Sequence, residues 1–299
     1  MDEYRQTLAM LKTFKAPLTL VIAGNHDFSL DHTAFKAKIE EANRINGSPI
    51  EADLVEREFG GYGLARKLFA DAKKDGIILL DEGTHDFALA NGGKLRVYAS
   101  PYTPSSSSSE GWGFPYNESE GHKFDVQMDT DIVMTHGPPR GIMDMSADKK
   151  RIGCPNLFAA VVKSRPRLHC FGHVHGGWGA KNVTWRPEIS DKPSQFSNID
   201  HEKSQLVGNL TSLGGTRFES EEDKKIRERR LELYKEHRYC SAGSLRNDMS
   251  TMFVNAALEE GDELKHCPWI IDIDITRSES GVAPKTERKR RRTNRTERL

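Results

Sequence analysis

The chain has 299 residues, of which 36% are hydrophobic and 29% charged, enough for one large α/β domain or two small ones. Its 44 basic and 44 acidic residues cancel, and it contains neither a run of 18 apolar residues nor a signal-peptide pattern, so we expect no membrane span and no secretion. Its four cysteines match no zinc or disulfide spacing and are expected to be reduced, which predicts an intracellular, cytoplasmic protein.

The first third of the chain alternates predicted helices and strands. Tyr4, Leu8, Leu11 and Phe14 recur at helical spacing, which predicts an opening helix that ends at Pro17. The elements predicted after it are strands at 18–23, 77–80 and 94–99 and helices at 33–43 and 63–74. This alternation indicates α/β architecture.

A long loop follows the third predicted strand. A run of five serines at 105–109 has the composition of a flexible linker. Trp112, which lies between two glycines, is either part of that linker or the cover of a pocket.

The rest of the chain predicts further strands at 131–134, 167–171, 251–255 and 269–273 and a helix at 156–163. Residues 180–215 are polar and predict irregular structure, and 219–237 predict a charged surface helix. We therefore expect one domain over 1–276, with a polar and helical insertion at about 181–245, and a disordered basic tail at 277–299.

The tail carries the basic run from Arg288 to Arg292. From Pro284 to Leu299 there are eight basic and two acidic residues, so the rest of the neutral chain is mildly acidic. The basic run is either a solvated end, a nuclear-import signal or a weak nucleic-acid contact. Elsewhere we expect no binding to nucleic acid.

Three histidine-bearing loops follow predicted strands, and they contain the candidate metal ligands. Asn25 offers a carbonyl oxygen, whereas His136, His173 and His175 offer imidazole nitrogens. Taken singly, an asparagine after glycine is usually a turn residue, and a lone histidine is usually a surface residue. Four such residues in three strand-end loops favour a divalent-metal site, because strand ends converge at one edge of a sheet. Two metal ions about 3.5–4 Å apart can clamp a phosphoryl group.

The motifs in these loops resemble those of the calcineurin-like metallophosphoesterase superfamily. The order GNHD, THGPP and GHVH carries the resemblance, and YASPYTP, GWGF, GCPNL and FVNAA narrow it to the metallophosphoesterase-domain branch of animals and fungi. The similarity covers most of 1–180 and 250–275. It implies a four-layer α/β/β/α sandwich and two divalent metal ions, which would be manganese, iron, zinc or magnesium.

The resemblance also implies roles for single residues. Asn25, His136 and His173 would bind one metal and His175 the other. A metal-activated hydroxide would attack the phosphate, and His26 would protonate the leaving oxygen, which suits an imidazole because it ordinarily titrates near neutral pH. Asp27 would orient a ligand or the loop.

This chain departs from the family pattern before Gly24. The pattern begins with a strand ending in Asp-x-His and a strand ending in Gly-Asp, and neither motif is present. We expect that the natural protein begins upstream of Met1, so that this chain is missing the first strands of the fold. The alternative is an isoform with an incomplete site. The predicted function is hydrolysis of a phosphodiester, with a small phosphate ester or nucleotide as substrate. The alternative is a catalytically impaired module that binds a nucleotide or a protein.

Overall fold

The structure, a computed structural model, describes residues 1–105, 111–244, 249–261 and 263–275. The predicted basic tail at 277–299 and most of the serine run at 105–109 lie outside the described residues. In the described ranges, no helix is both long enough and apolar enough to cross a membrane.

Strands and helices alternate along the chain as the sequence predicts for an α/β protein. The strands are β1 (Thr19–Val21), β2 (Ile77–Leu79), β3 (Gly83–Ala88), β4 (Lys94–Ser100), β5 (Thr103–Ser105), β6 (Pro115–Asn117), β7 (Ile132–Thr135), β8 (Leu168–Phe171), β9 (Gly179–Trp185), β10 (Ile199–Asn209), β11 (Cys240–Ser244), β12 (Ser250–Asn255), β13 (Glu259–Glu260), β14 (Glu263–Leu264) and β15 (Trp269–Asp272). The helices are α1 (Asp2–Thr13), α2 (His32–Asn46), α3 (Ala52–Phe59), α4 (Leu64–Ala72), α5 (Pro155–Ser164), α6 (Gln195–Asn198), α7 (Leu210–Gly214) and α8 (Glu221–His237).

A seven-stranded sheet with the order β10-β9-β12-β8-β7-β4-β3 forms the centre of the fold. Its middle strands β12, β8, β7 and β4 are parallel, whereas β3 at one edge and β9 and β10 at the other are antiparallel to their neighbours. Strands β1 and β2 form a separate parallel pair. The carboxyl ends of β4, β7 and β8 therefore lie along one edge of the large sheet, where loops can converge.

One face of the large sheet packs on the small sheet. Val97 of β4 is fully buried in a cluster with Leu20 of β1 and Ile78 of β2, so the two sheets share a core. On the far side of the small sheet, Leu8 of α1 and Phe69 of α4 close a second apolar cluster. These helices therefore form an outer layer.

The opposite face of the large sheet packs on α5. Because successive strand residues point to opposite faces, Tyr98, Val133 and Phe253 lie on this side and contact the cluster that contains Phe158 and Val161. The layers run from α1 and α4 through the small sheet and the large sheet to α5. The predicted α/β/β/α order is confirmed.

Two predictions from the sequence are wrong. Residues 180–215 are not irregular, because β9 pairs with both β10 and β12 and belongs to the central sheet. In β9, the polar residues Lys181, Asn182 and Thr184 separate the buried ones, so no sustained apolar alternation marks the strand. Phe14 does not join the apolar face of α1, because the helix ends at Thr13 and the Phe14 side chain is 61% exposed.

Candidate metal centre

Three loops at the ends of β1, β7 and β8 bring Asn25, His136 and His173 together. The carboxamide oxygen Oδ1 of Asn25 lies 2.6 Å from Nε2 of His136 and 3.2 Å from Nδ1 of His173. The two imidazole rings are 4.8 Å apart between centroids, and their planes are inclined by 62°. One oxygen and two ring nitrogens from separate loops thus lie within hydrogen-bond distance of one another.

Backbone hydrogen bonds hold these loops to one another. The amide of Gly172 donates to the carbonyl of His136 at 3.0 Å, and the amide of His136 donates to the carbonyl of Ser100 at 3.0 Å. The loop after β8 is therefore fixed against the loop after β7, and β7 against the end of β4. These bonds fix the backbone positions from which the two imidazoles extend.

Asp27 closes the turn that presents Asn25. Its Oδ2 accepts a hydrogen bond from the amide of Gly24 at 2.7 Å, and its own amide donates to the Gly24 carbonyl at 3.0 Å. Burial raises the pKa of the Asp27 carboxyl, although the hydrogen bonds from Gly24 and Tyr4 oppose this shift. The carboxylate that bonds to Gly24 within the turn thus shapes the loop around Asn25.

Burial keeps the two converging imidazoles neutral. It lowers the pKa of His136 to about 3, and the neighbouring histidines His173, His26 and His175 lower it further. The pKa of His173 is lowered by burial and then by His175 and His26. Both rings are therefore neutral, which is the charge state in which an imidazole can bind a metal ion.

His26 and His175 lie at the exposed rim of this group. The ring of His26 meets the indole of Trp112 at 4.5 Å between centroids, with the planes inclined by 62°. His175 begins a short 3-10 turn, His175–Gly177, directly after the loop that carries His173. The structure thus places the predicted proton donor and the predicted fourth ligand beside the half-buried trio of Asn25, His136 and His173, outside the hydrogen bonds that join it.

The segment that carries Trp112 is hydrogen-bonded to the loop that carries Asn25, a contact that the sequence did not predict. The amide of Gly113 donates to the carbonyl of Asn25 at 2.7 Å, and that of Phe114 donates to Oδ2 of Asp31 at 2.8 Å. A β-carbon at Gly113 would lie 2.9 Å from Cα of Phe28, so only glycine allows this approach. The glycines around Trp112 were the available indication of a close backbone contact.

A buried pair behind the site supports the His136 loop and was also missed. Thr135 Oγ1 donates to the carbonyl of Gly137 at 2.7 Å and lies 2.9 Å from Nε2 of His169. Burial lowers the pKa of His169 to about 3, so its ring is neutral, and we assign Nε2–H as the donor to Thr135. His169 thereby fixes the hydroxyl that holds the turn after His136.

The donor set fits one divalent ion. Oxygen and imidazole ligands suit manganese, iron or zinc. Across the described ranges, no group of three or more His, Cys, Asp or Glu residues is placed to hold a metal, so the trio depends on the amide oxygen of Asn25. Among the described residues, the predicted His175 is the candidate donor for a second ion, and no further donor group accompanies it.

Comparison with known proteins decides the family. The family model described as calcineurin-like phosphoesterase matches residues 2–177, more than half of the chain. The chain belongs to the calcineurin-like phosphoesterase family. Membership of this phosphoesterase family implies divalent metal ions as cofactors, while their identity and number stay predictions.

Three curated relatives each match part of this calcineurin-like phosphoesterase. The chain is 32% identical over 167 residues to human metallophosphoesterase domain-containing protein 1, which is 54% of this chain and 45% of that protein. It is 30% identical over 169 residues to the probable rhamnogalacturonate lyase C of Emericella nidulans, covering 56% of this chain and 13% of the relative. A UPF0046 protein of Caenorhabditis elegans is 29% identical over 177 residues, which is 57% of this chain and 41% of that protein. The match thus spans less than half the length of each relative.

Proposed function

We propose that this calcineurin-like phosphoesterase hydrolyses phosphodiesters with a divalent metal ion held by Asn25, His136 and His173. The observation that carries the proposal is the meeting of Asn25 Oδ1 with ring nitrogens of both histidines, at 2.6 and 3.2 Å, at the carboxyl edge of the parallel strands. His175, on the same loop as His173, is the candidate ligand for a second ion. The substrate is a small phosphate ester or a nucleotide.

Each residue has a separate task in this proposal. Asn25, His136 and His173 bind and orient, because their loops are tied together and the imidazoles are neutral. When bound, a divalent metal supplies positive charge that stabilises phosphoryl oxygens and lowers the pKa of a water molecule. His26 stands at the exposed rim, with one side of its ring against Trp112. From there it donates a proton to the leaving oxygen of the ester.

The test is hydrolysis of bis(p-nitrophenyl) phosphate in the presence of manganese. We expect turnover by the wild type, and a decrease in kcat of about 10²–10⁴-fold in His26→Ala, because a positioned acid contributes that much. His26→Ala should keep its bound metal, whereas His173→Ala should lose both metal and activity. His201→Ala, which removes an exposed histidine that contacts only the Gln195 carbonyl among the contacts described, is the matched control. Equal hydrolysis by wild type and His173→Ala would contradict the proposal.

A second candidate is a module that binds a nucleotide or a protein without hydrolysis. It is favoured by the finding that, where the chain is described, no three His, Cys, Asp or Glu side chains form a metal group. This candidate predicts that adenosine monophosphate binds in the presence of manganese while bis(p-nitrophenyl) phosphate stays intact over hours. Manganese-dependent turnover that disappears in His26→Ala rules it out.

A further inference from the structure

A cavity of about 850 Å³ lies beside the candidate metal centre, between α2 and the segment that carries Trp112. Its walls include Ala34 and Ala37 of α2, Ile45 near the end of that helix, and the rings of Tyr102 and Trp112. A volume of this size lies within the range of small-molecule sites, about 300–1,000 Å³, and exceeds what a phosphate group needs. The cavity therefore has room for an organic substituent of a substrate.

The charged groups around the cavity are already engaged. The Asp31 carboxylate accepts hydrogen bonds from the amides of Thr33, Ala34 and Phe114. The Lys38 ammonium donates to the carbonyl of Gly111 at 3.0 Å and lies 4.2 Å from the centre of the Phe28 ring. Both side chains keep their charge, because their partners are neutral backbone groups and an aromatic ring, but these contacts hold each charged group at the cavity wall.

Glu41, the third charged wall residue, is paired with Arg44. Beside these held charges the cavity presents apolar surface, since Ile45 is 75% exposed and Trp112 is 39% exposed. Apolar side chains left open beside a reactive group are typical of a binding site.

Trp112 belongs to the cavity and to the metal centre at once. Its indole lines the cavity and also contacts the His26 ring at 4.5 Å. A flat group that lies on the other side of the indole is thus one ring away from the proposed proton donor. We propose that this cavity binds a planar aromatic ester group of the phosphodiester substrate. The inference rests on the proposed function in placing the phosphate at His26.

The chemistry of the walls explains the choice of ligand. The small side chains of Ala34 and Ala37 and the indole of Trp112 line the same cavity. A planar ring against the indole gains aromatic stacking in addition to apolar contact, whereas an aliphatic group gains apolar contact alone. Specificity would then depend on the ester group rather than on the phosphate, which the metal centre binds in every substrate.

The test compares the binding of 1-naphthyl phosphate and inorganic phosphate by calorimetry, with manganese present. We expect the wild type to bind 1-naphthyl phosphate about tenfold more tightly than phosphate, as stacking on an aromatic side chain provides. Ala37→Leu fills the cavity from an exposed helix position, where leucine is well tolerated, so the variant should fold. It should lose the preference while its affinity for phosphate stays unchanged.

Lys36→Leu is the matched control. It adds an apolar side chain one residue earlier on α2, away from the cavity, and removes only an exposed ion pair with Glu40. It should keep the wild-type preference. The inference is overturned if the wild type shows no preference, or if Ala37→Leu retains it.

The two proposals can fail separately because binding is measured without turnover. A preference for 1-naphthyl phosphate that Ala37→Leu abolishes, in a protein that does not hydrolyse bis(p-nitrophenyl) phosphate, supports the cavity and contradicts the proposed function. Hydrolysis without any preference contradicts the cavity alone.

Discussion

Gly24 lies so close to His136 that a β-carbon at position 24 would be 2.6 Å from Cε1 and 2.9 Å from Nδ1 of that ring. No real β-carbon tolerates such distances, so a side chain at 24 must displace the imidazole from Asn25. Gly24→Ala is therefore expected to weaken manganese binding at least about tenfold, since misplaced ligands and their support cost that much. Calorimetric titration of manganese into the metal-free variant measures the effect.

Gly172→Ala is the control for this variant, because it adds the same methyl group in the adjacent loop. A β-carbon at 172 meets nothing within 4 Å, and the amide that donates to His136 is kept. This variant should bind manganese like the wild type. Equal weakening by both alanines would show that the contact between Gly24 and His136 is not what positions the ring.

His173 is held in the left-handed backbone region, with φ of 65°. A residue with a β-carbon is strained there by about 1–2 kcal/mol, whereas glycine is not. We therefore expect His173→Gly to be about 1 kcal/mol more stable than His173→Ala in metal-free urea unfolding, although both lose the ligand. A His173→Ala variant as stable as His173→Gly would mean that the backbone at 173 relaxes once the imidazole is gone.

Buried histidines predict how stability depends on pH. Burial lowers the pKa of His169 to about 3, whereas a histidine in the unfolded chain titrates near 6.5. Between these pH values only the unfolded state takes up the proton. The contribution of the neutral His169 to the free energy of unfolding is therefore fully present above about pH 6.5 and is lost as the pH falls towards 3. His169→Leu should lower the slope of unfolding free energy against pH by up to about 1.4 kcal/mol per unit.

Urea unfolding of the metal-free protein at several pH values between about 6 and 4.5 measures that slope. The matched control is His201→Ala, which removes an exposed histidine and should leave the slope unchanged. An unchanged slope in His169→Leu would refute the assignment of a neutral, buried His169.

Asp31 both caps α2 and holds the Trp112 segment. Its Oδ1 accepts from the amides of Thr33 and Ala34, and its Oδ2 accepts from that of Phe114. Asp31→Ala removes the cap and the second contact and should lower the free energy of unfolding by about 2 kcal/mol. Asp31→Asn keeps the cap but cannot accept from Phe114 with its amide nitrogen, so it should lose about half as much. Full stability of Asp31→Asn would show that the Phe114 contact contributes nothing.

Local patterns were enough to predict some elements and not others. The helix at 219–237 was predicted from its charge order and is observed at Glu221–His237, where Ser220 caps it. Strands β9 and β10 were missed because their identity comes from pairing with β12 and with each other rather than from an apolar alternation. For β9, the partner β12 lies about 70 residues away in the sequence, which is beyond any short window.

The same distinction holds for the site. Asn25, His136 and His173 could be selected because each follows a strand in a recognisable motif, and the structure brings them together. The contact of His26 with Trp112 and the bond between Gly113 and Asn25 join distant segments, so their partners could not be read from local spacing. The predicted roles of these residues in catalysis stay predictions.

The most direct test of the metal centre is the calorimetric titration of manganese into the metal-free wild type, Asn25→Ala and His136→Ala, with His201→Ala as the control. The trio predicts saturable binding by the wild type and by His201→Ala, and a loss of at least about 100-fold in affinity when either Asn25 or His136 is removed, since each is a direct ligand. Wild-type affinity in both Asn25→Ala and His136→Ala would contradict the assignment of these side chains as metal ligands.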